Sequence, residues 1–413
     1  MFRSRTAART VAALGVAALA LGACTDDRPA LEFTGTLELG VLVPQTGPLE
    51  FLSPAQIAAV ELAVADINEA GGVWGNEVVL HFQDEGDPDD PATVQASAEA
   101  LVDAGVQAVV GPLATASTLS VIESFQQARI IQVSPASPGV VLDDHPARDY
   151  YLRIHPPDVL QGRVIAEQLV QDQREQVAIV ARDDAYGQGL AALVREVYED
   201  GDERTLAVEV SYDPESAVTD ALAEVTEAEP DAVVIIGFEE TVEIMTALAD
   251  EGLAPADETG WYLAHGNLED YSGQLPADTL AGTKATAPIG ATDRAAFHRR
   301  IDEHAGELDE HAYAAEAYDA VMTIALGAIV ADSDDPDAIR AAMIEISGDP
   351  GQPCAIFREC LDLIRDGEDI NYVGQSGPVD WTEAGDPPQG AYGVYVYDEE
   401  GAFTLQGYGV GRR

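Results

Sequence analysis

The sequence predicts an α/β protein built as two doubly wound parallel-sheet lobes joined by a three-segment hinge. Three observations carry this. Short apolar runs rich in β-branched residues alternate with helical patterns from Leu37 to about residue 290, the signature of βαβ units. The order then repeats: Asp87-Pro88 follows the second strand of the first half as Asp213-Pro214 follows that of the second, and Val109-Val110-Gly111 is echoed by Ile235-Ile236-Gly237. Finally, 413 residues fill two ordinary domains, and Pro156-Pro157, Ala287-Pro288 and Gly377-Pro378 read as the crossings between them. The expected lobes are 37–155 with 288–377, and 156–287 with 378–413. Three crossings favour a defined closing motion over loose tethering.

The first residues stand apart from that fold. Arg3, Arg5 and Arg9 precede an apolar run, Val11 to Leu21, too short to span a membrane, and Leu21-Gly22-Ala23-Cys24 follows. This resembles a bacterial lipoprotein signal, which implies removal of residues 1–23, lipid attachment to Cys24, and a protein held on the outer face of the cell membrane. Residues 24–36, polar with one proline, read as a tether.

Leu37 to Val43 is the first strand. The helix after it takes Ser53 as cap and Pro54 at its first position, with Ile57, Val60, Val64 and Ile67 at helical spacing until Gly71-Gly72. A strand at 78–84, an acidic loop and a helix over 92–104 come next. Val106 to Thr118, VQAVVGPLATAST, then reads as a buried strand, a tight loop and a helix start. Such a loop presents backbone N–H groups and the positive end of a helix dipole, with Thr115, Ser117 and Thr118 as hydroxyl donors, a seat for a carboxylate. A hydroxyl there can equally do no more than cap the helix. A strand at 130–133 stops at Ser134-Pro135-Ala136-Ser137.

The second half places strands at 177–181, 205–210 and 232–237, each followed by a helix. Past Leu280 come a strand, a helix, a long apolar helix over 311–330, another at 335–346, a cysteine segment and two alternating strands. Ligands of open parallel sheets sit beyond the carboxyl ends of the strands, so loops 44–52, 111–118 and 134–139 face loops 182–187, 237–241 and 264–267 across a cleft. Phe51, Leu52, Leu113, Tyr186 and Phe238 supply its apolar walls.

Acids outnumber bases 74 to 21 and the formal charge is −53, a field that repels nucleic acid and anionic membrane surfaces. The acids are spread along the chain, which reads as surface solvation and suggests a saline habitat. Cys354 and Cys360, close in sequence in an exported chain, read as a local disulfide. The sequence has no phosphate loop, no G-x-S-x-G elbow, no H-E-x-x-H and no CxxC pair, so an enzyme is the weaker class, resting on cleft acids such as Asp183, Asp184 and Glu239. His298, His304 and His311 lie among acids and read as a solvated face, and no metal or cofactor is expected.

Taken in order, GVLVPQTGPL (40–49), ELAVADINEAGGVWG (61–75), DEGDPDDP (84–91), VVGPLATAST (109–118), SPAS (134–137), LRIHPPDVLQG (152–162), AYGQGL (185–190), AYDA (317–320) and GEDINYVGQSGPVDW (367–381) resemble the type I periplasmic binding proteins of branched-chain amino-acid ABC transporters. The resemblance implies that Thr115 binds a ligand carboxylate with Leu113 and Ala114 beside it. It implies that Ala136 and Ser137 hold the ammonium and carboxylate, and that Tyr186 and Phe238 close over the ligand from the second lobe. It also implies a lipid-anchored monomer that hands a small solute to ABC permease subunits, although the same fold can serve a sensor. Three departures stand out: Leu52 replaces a common tyrosine, SPASPG is a residue short, and His265 falls near the position of the acid that pairs the ammonium.

Overall fold

The computed structural model describes residues 35–200, 204–214, 219–289, 294–348 and 350–412. The expected signal, Cys24 and all but the last two residues of the tether lie outside the described residues.

In the first lobe β1 (Glu38–Val43) is buried almost throughout, as a central parallel strand must be. It pairs with β2 (Val79–Asp84) and β3 (Ala108–Val110), and β4 (Ile131–Ser134) and β5 (Tyr151–Arg153) complete a parallel sheet of order β2-β1-β3-β4-β5. Helices α1 (Ser53–Glu69), α2 (Pro91–Ala104) and α3 (Thr115–Ala128) make the crossovers. Ser53 is not the cap of α1. A 3₁₀ turn at Glu50–Leu52 leads into the helix, so Leu52 already has helical backbone angles and Ser53 is the first helical residue. Asp90 does cap α2, accepting from the Ala92 N–H, and Gly105 ends it in the left-handed region.

The second lobe runs from α4 (Asp158–Gln171) through β6 (Val177–Arg182), α5 (Ala185–Tyr198), β7 (Val208–Tyr212), α6 (Thr219–Glu227), β8 (Ala232–Ile236), α7 (Thr241–Asp250), β9 (Gly260–Leu263) and β10 (Lys284–Pro288). Helices α8 (Arg294–Ala305), α9 (Ala314–Ala331), α10 (Pro336–Glu345) and α11 (Phe357–Arg365) follow, with β11 (Gln352–Cys354) and β12 (Ile370–Tyr372) as a small separate pair. Strands β13 (Gln389–Tyr397) and β14 (Phe403–Arg412) then join the second sheet, whose order is β14-β13-β10-β9-β8-β6-β7. These last two form a hairpin, and β13 runs antiparallel to β10, so the second sheet is parallel only from β6 to β10.

Among the described residues α9 alone is long and apolar enough to cross a membrane, but it is the core helix of the first lobe, with Tyr318, Val321, Ile324 and Ala325 packed among residues of α1, β1 and β3. The Cys354–Cys360 disulfide is formed and ties β11 to α11, with Cα atoms 5.3 Å apart. Val379 and Trp381 are buried in the first lobe's core, and the Trp381 Nε1–H donates to the Arg153 carbonyl at 2.7 Å. Residues as far as Trp381, beyond Gly377-Pro378, thus still pack with the core of the first sheet.

Among the described residues the carboxyl groups of Glu85, Asp158, Asp319 and Asp386 are fully enclosed, Asp386 against Arg148 and Arg153. Asp319 accepts from the Tyr372 hydroxyl, the Gln375 and Ser376 N–H groups and the Ser376 hydroxyl, yet burial still pushes it up to about 6. Burial pushes Glu85 up to about 7 and Asp158 to about 8. Native carboxyls with raised values hold protons that the unfolded chain, with ordinary carboxyls near 4, has already released. Their contribution is thus fully present below the unfolded values and is lost as pH rises through about 6 to 8. The melting temperature should be higher at pH 5.5 than at pH 8, and a melting temperature that rises over that interval would contradict the burial of these groups.

Candidate functional site

The loop after β3 forms because Gly111 sits at φ +110, where an added Cβ would lie 1.9 Å from the Leu42 carbonyl oxygen. The chain then turns so that the Leu113 and Ala114 N–H groups point at one buried carboxylate, donating to Glu85 at 2.7 and 2.8 Å. The anion seat expected of this loop is in large part filled from within the fold. Thr115 and the start of α3 remain at the cavity, and Thr115 is the first helical residue, with Ala114 as cap. Its hydroxyl oxygen accepts the Gly139 N–H at 3.2 Å, which leaves its own hydrogen free to donate.

Ser137 does not reach the cavity. It is fully buried at φ 37, its hydroxyl lies 2.6 Å from that of Thr118, and the carbonyls of Pro112, Leu113 and Ala114 surround it at 3.0 to 3.2 Å. That side chain stitches the two loops together, while Ala136 and Pro138 on either side of it line the cavity.

From the second lobe come Tyr186, in the first turn of α5, and Phe238, just after β8. Asp184 fixes that turn by accepting the Gly187 N–H at 2.7 Å. The two rings stack with centroids 5.4 Å apart, and the Arg182 guanidinium lies over Phe238 at 4.9 Å. His265 meets the edge of Tyr186 at 5.2 Å. Gln161 donates its amide hydrogens to the Thr286 carbonyl and hydroxyl, so its oxygen faces His265 Nδ1 at 2.5 Å, and the ring donates there. Burial, with His155 beside it, holds His265 well below the usual histidine range. A neutral ring with Nδ1–H engaged presents Nε2 as an acceptor.

Phe51, Leu52, Leu113, Ala114, Thr115, Ala136, Tyr186, Phe238 and His265 thus meet around one cavity between the lobes, as the sequence reading groups them, and Ser137 does not. Sequence reasoning misses Leu49, Pro138, Glu269, Glu310, Ala312 and Tyr313, which complete the walls. The last three come from the segment joining α8 to α9; the sequence reading starts its long apolar helix at 311, whereas α9 begins at Ala314 and leaves Ala312 and Tyr313 in the connecting segment. Asp183, Asp184 and Glu239 are not among the lining residues, and Asp184 is committed to Arg182 and Gly187. His298 and His311 are not a plain solvated face: their rings stack at 4.4 Å and His311 pairs Asp302 at 2.8 Å.

Residues 36–365, most of the chain, match the periplasmic binding protein family. The chain belongs to that family. A relative from Halobacterium salinarum, the chemotactic signal transduction system substrate-binding protein BasB, is 28% identical across 85% of each chain. The Leu/Ile/Val-binding protein homolog 1 of Brucella melitensis is 26% identical over 74% of this chain and 82% of its own. Among solved structures, a leucine-binding protein from Thermotoga maritima superposes with a TM-score of 0.73 at 18% identity, covering 90% of this chain and 98% of its own. A solute-binding protein of an ABC transporter from R. palustris, solved with 4-hydroxybenzoate, gives 0.75 at 17% identity, covering 92% and 98%. The fold is therefore that of the type I periplasmic binding proteins. The protein is a periplasmic binding protein, and membership implies an extracytoplasmic location.

Proposed function

We propose that the binding protein captures a small organic solute between its lobes, a branched-chain or hydrophobic amino acid or a related amide or carboxylate, and delivers it to ABC permease subunits. The observation that carries this is the cavity walled by Leu113, Ala114, Thr115 and Ala136 on one side and by Tyr186 and Phe238 on the other. Its walls are mainly apolar, with few polar atoms converging, the usual character of a small-solute site. The moving bodies are the two sheet lobes, hinged near 155–157, near 288 and in the segment just before β13. The Leu/Ile/Val-binding relatives support an amino acid as the solute.

Calorimetry with leucine tests the reading. Thr115→Ala should weaken binding roughly ten- to a hundredfold, the loss of one charge-assisted hydrogen bond of about 1.5–3 kcal/mol, whereas Thr115→Ser should keep it. The alanine variant also loses the Gly139 bond, so its melting temperature should fall modestly. Unchanged affinity beside that lower stability would reduce Thr115 to a tie between loops.

A sensing role is the second reading, favoured by the likeness to BasB, whose name places it in chemotactic signalling. Retained solute uptake in cells lacking the partner permease would argue for that reading. In either role the protein acts as a lipid-anchored monomer on the outer face of the membrane, attached through Cys24. Cys24→Ala should move it from the membrane to the soluble fraction, and persistence in the membrane pellet would remove the anchor from the proposal.

A further inference from the structure

Resting on that reading, we infer that Gln161 is a positioning residue that holds His265 as an uncharged acceptor, so that the cleft selects a solute whose polar group both donates and accepts, a 2-hydroxy acid or a carboxamide. Gln161 is fully buried at the start of α4. Its amide meets the Thr286 carbonyl at 2.8 Å and the Thr286 hydroxyl at 2.9 Å. A carbonyl oxygen can only accept, so the NH2 end of the amide lies there and the oxygen end is turned to His265 Nδ1, 2.5 Å away. Nδ1 therefore carries the ring hydrogen. Protonating Nε2 as well would place a charge where burial, and then His155 with its ring 4.8 Å away, oppose it. Nε2 is left as a neutral acceptor, and among the described residues nothing donates to it.

The matching group is Tyr186, whose ring meets that of His265 at 5.2 Å between centroids. Its hydroxyl is buried without a hydrogen-bond partner, and the Gly266 N–H points toward the oxygen without reaching bonding geometry. The hydroxyl hydrogen is thus the part left to donate. Both side chains line the solute cavity, so one wall sets an acceptor beside a donor, and leaving either unpaired is costly. A hydroxyl or a carboxamide satisfies both at once, because each donates and accepts. An ammonium only donates, and it leaves the Tyr186 hydrogen without an acceptor. Glu269 and Glu310 also line the cavity, but burial pushes Glu269 up to about 7, and Glu310 already accepts the His311 and Ala312 N–H groups at 2.6 and 2.7 Å. A site that read charge through either carboxylate would favour leucine over its hydroxy analogue, and that contrast decides between the two.

The test uses calorimetry with three acids of one skeleton that differ at the second carbon: 2-hydroxy-4-methylpentanoate, leucine and 4-methylpentanoate. The hydroxy acid should bind at least as tightly as leucine and at least about tenfold more tightly than 4-methylpentanoate, since a site built to pair a hydroxyl rejects the analogue that lacks it. His265→Phe keeps a ring and removes the acceptor, so it should cut that preference to less than about threefold while 4-methylpentanoate binds as before. The role of Gln161 has its own readout. Nitrogen-15 spectra of the wild type should show His265 neutral and protonated at Nδ1, and Gln161→Leu should give a mixture of tautomers together with a reduced preference for the hydroxy acid. Leucine binding about tenfold more tightly than the hydroxy acid would overturn the inference, as would a His265 protonated at Nε2 in the wild type or an unchanged preference in His265→Phe. An unaltered His265 spectrum in Gln161→Leu would remove Gln161 from it; should that variant not fold, the wild-type spectrum and His265→Phe decide. If none of the three acids bound while the wild-type spectrum was as expected, the solute class proposed above would be at fault and the selectivity would fall with it.

Discussion

Glu85→Ala is expected to destabilise the protein by about 3 kcal/mol, and formate is expected to restore part of the loss. The carboxylate receives two buried N–H groups, those of Leu113 and Ala114. Removing it leaves both donors orphaned, at about 1–3 kcal/mol each, while relieving the cost of enclosing a carboxyl whose value burial raises to about 7. The net falls between those limits. Because both donors belong to the loop that carries Thr115 into the cavity, the damage is local and should disturb solute binding as well as stability. A small carboxylate fits the space the side chain vacates and binds only the folded state, so the variant's melting temperature should climb with formate concentration more than with chloride. Wild type, with the seat filled, should show no such difference. A variant as stable as wild type, or one indifferent to formate, would mean that these N–H groups find water or another partner.

That experiment addresses what the sequence could and could not disclose. The alternation of apolar runs with helical periods made both sheets legible, since a buried parallel strand must be apolar on both faces and the crossover helix on one. The repeated Asp-Pro and Gly landmarks exposed the second lobe for the same reason. Glu85 was hidden because one carboxylate among the acids of DEGDPDD carries no sign of being enclosed; only the approach of the loop after β3 buries it. Ser137 shows the reverse error. A hydroxyl at the right position in the chain is turned inward by its backbone angle and by three carbonyls, details that no periodicity encodes. Glu310 and Tyr313 reach the cavity from nearly two hundred residues beyond Thr115, through the return of the chain into the first lobe, and nothing local marks them.

The other large effect is expected at Arg182, and its value lies in the contrast with Asp89. Arg182 is 1% exposed at the end of β6; its Nε meets Asp184 at 2.8 Å, its Nη1 meets Glu240 at 3.0 Å, and its Nη2 reaches across to Asp89 in the first lobe. Glu240 also accepts from the Tyr212 hydroxyl at 2.7 Å and the Phe238 N–H at 3.2 Å, so the guanidinium anchors the loop that carries Phe238. Arg182→Met removes the cation that these three carboxylates share and should destabilise the fold by about 3–5 kcal/mol, the usual consequence of breaking a buried ion pair from one side. Asp89→Ala removes only the arm that spans the cleft. Its carboxylate is partly exposed, so the fold should lose less than about 1 kcal/mol, while the closed arrangement loses a tie between lobes. Affinity for leucine should then fall roughly three- to tenfold, through faster release, because closing becomes less favourable while the cavity walls are unchanged. Stopped-flow release together with chemical denaturation separates the two effects. An Asp89→Ala variant with unaltered release, or one destabilised as far as Arg182→Met, would show that the cross-lobe pair belongs to the fold and takes no part in closure.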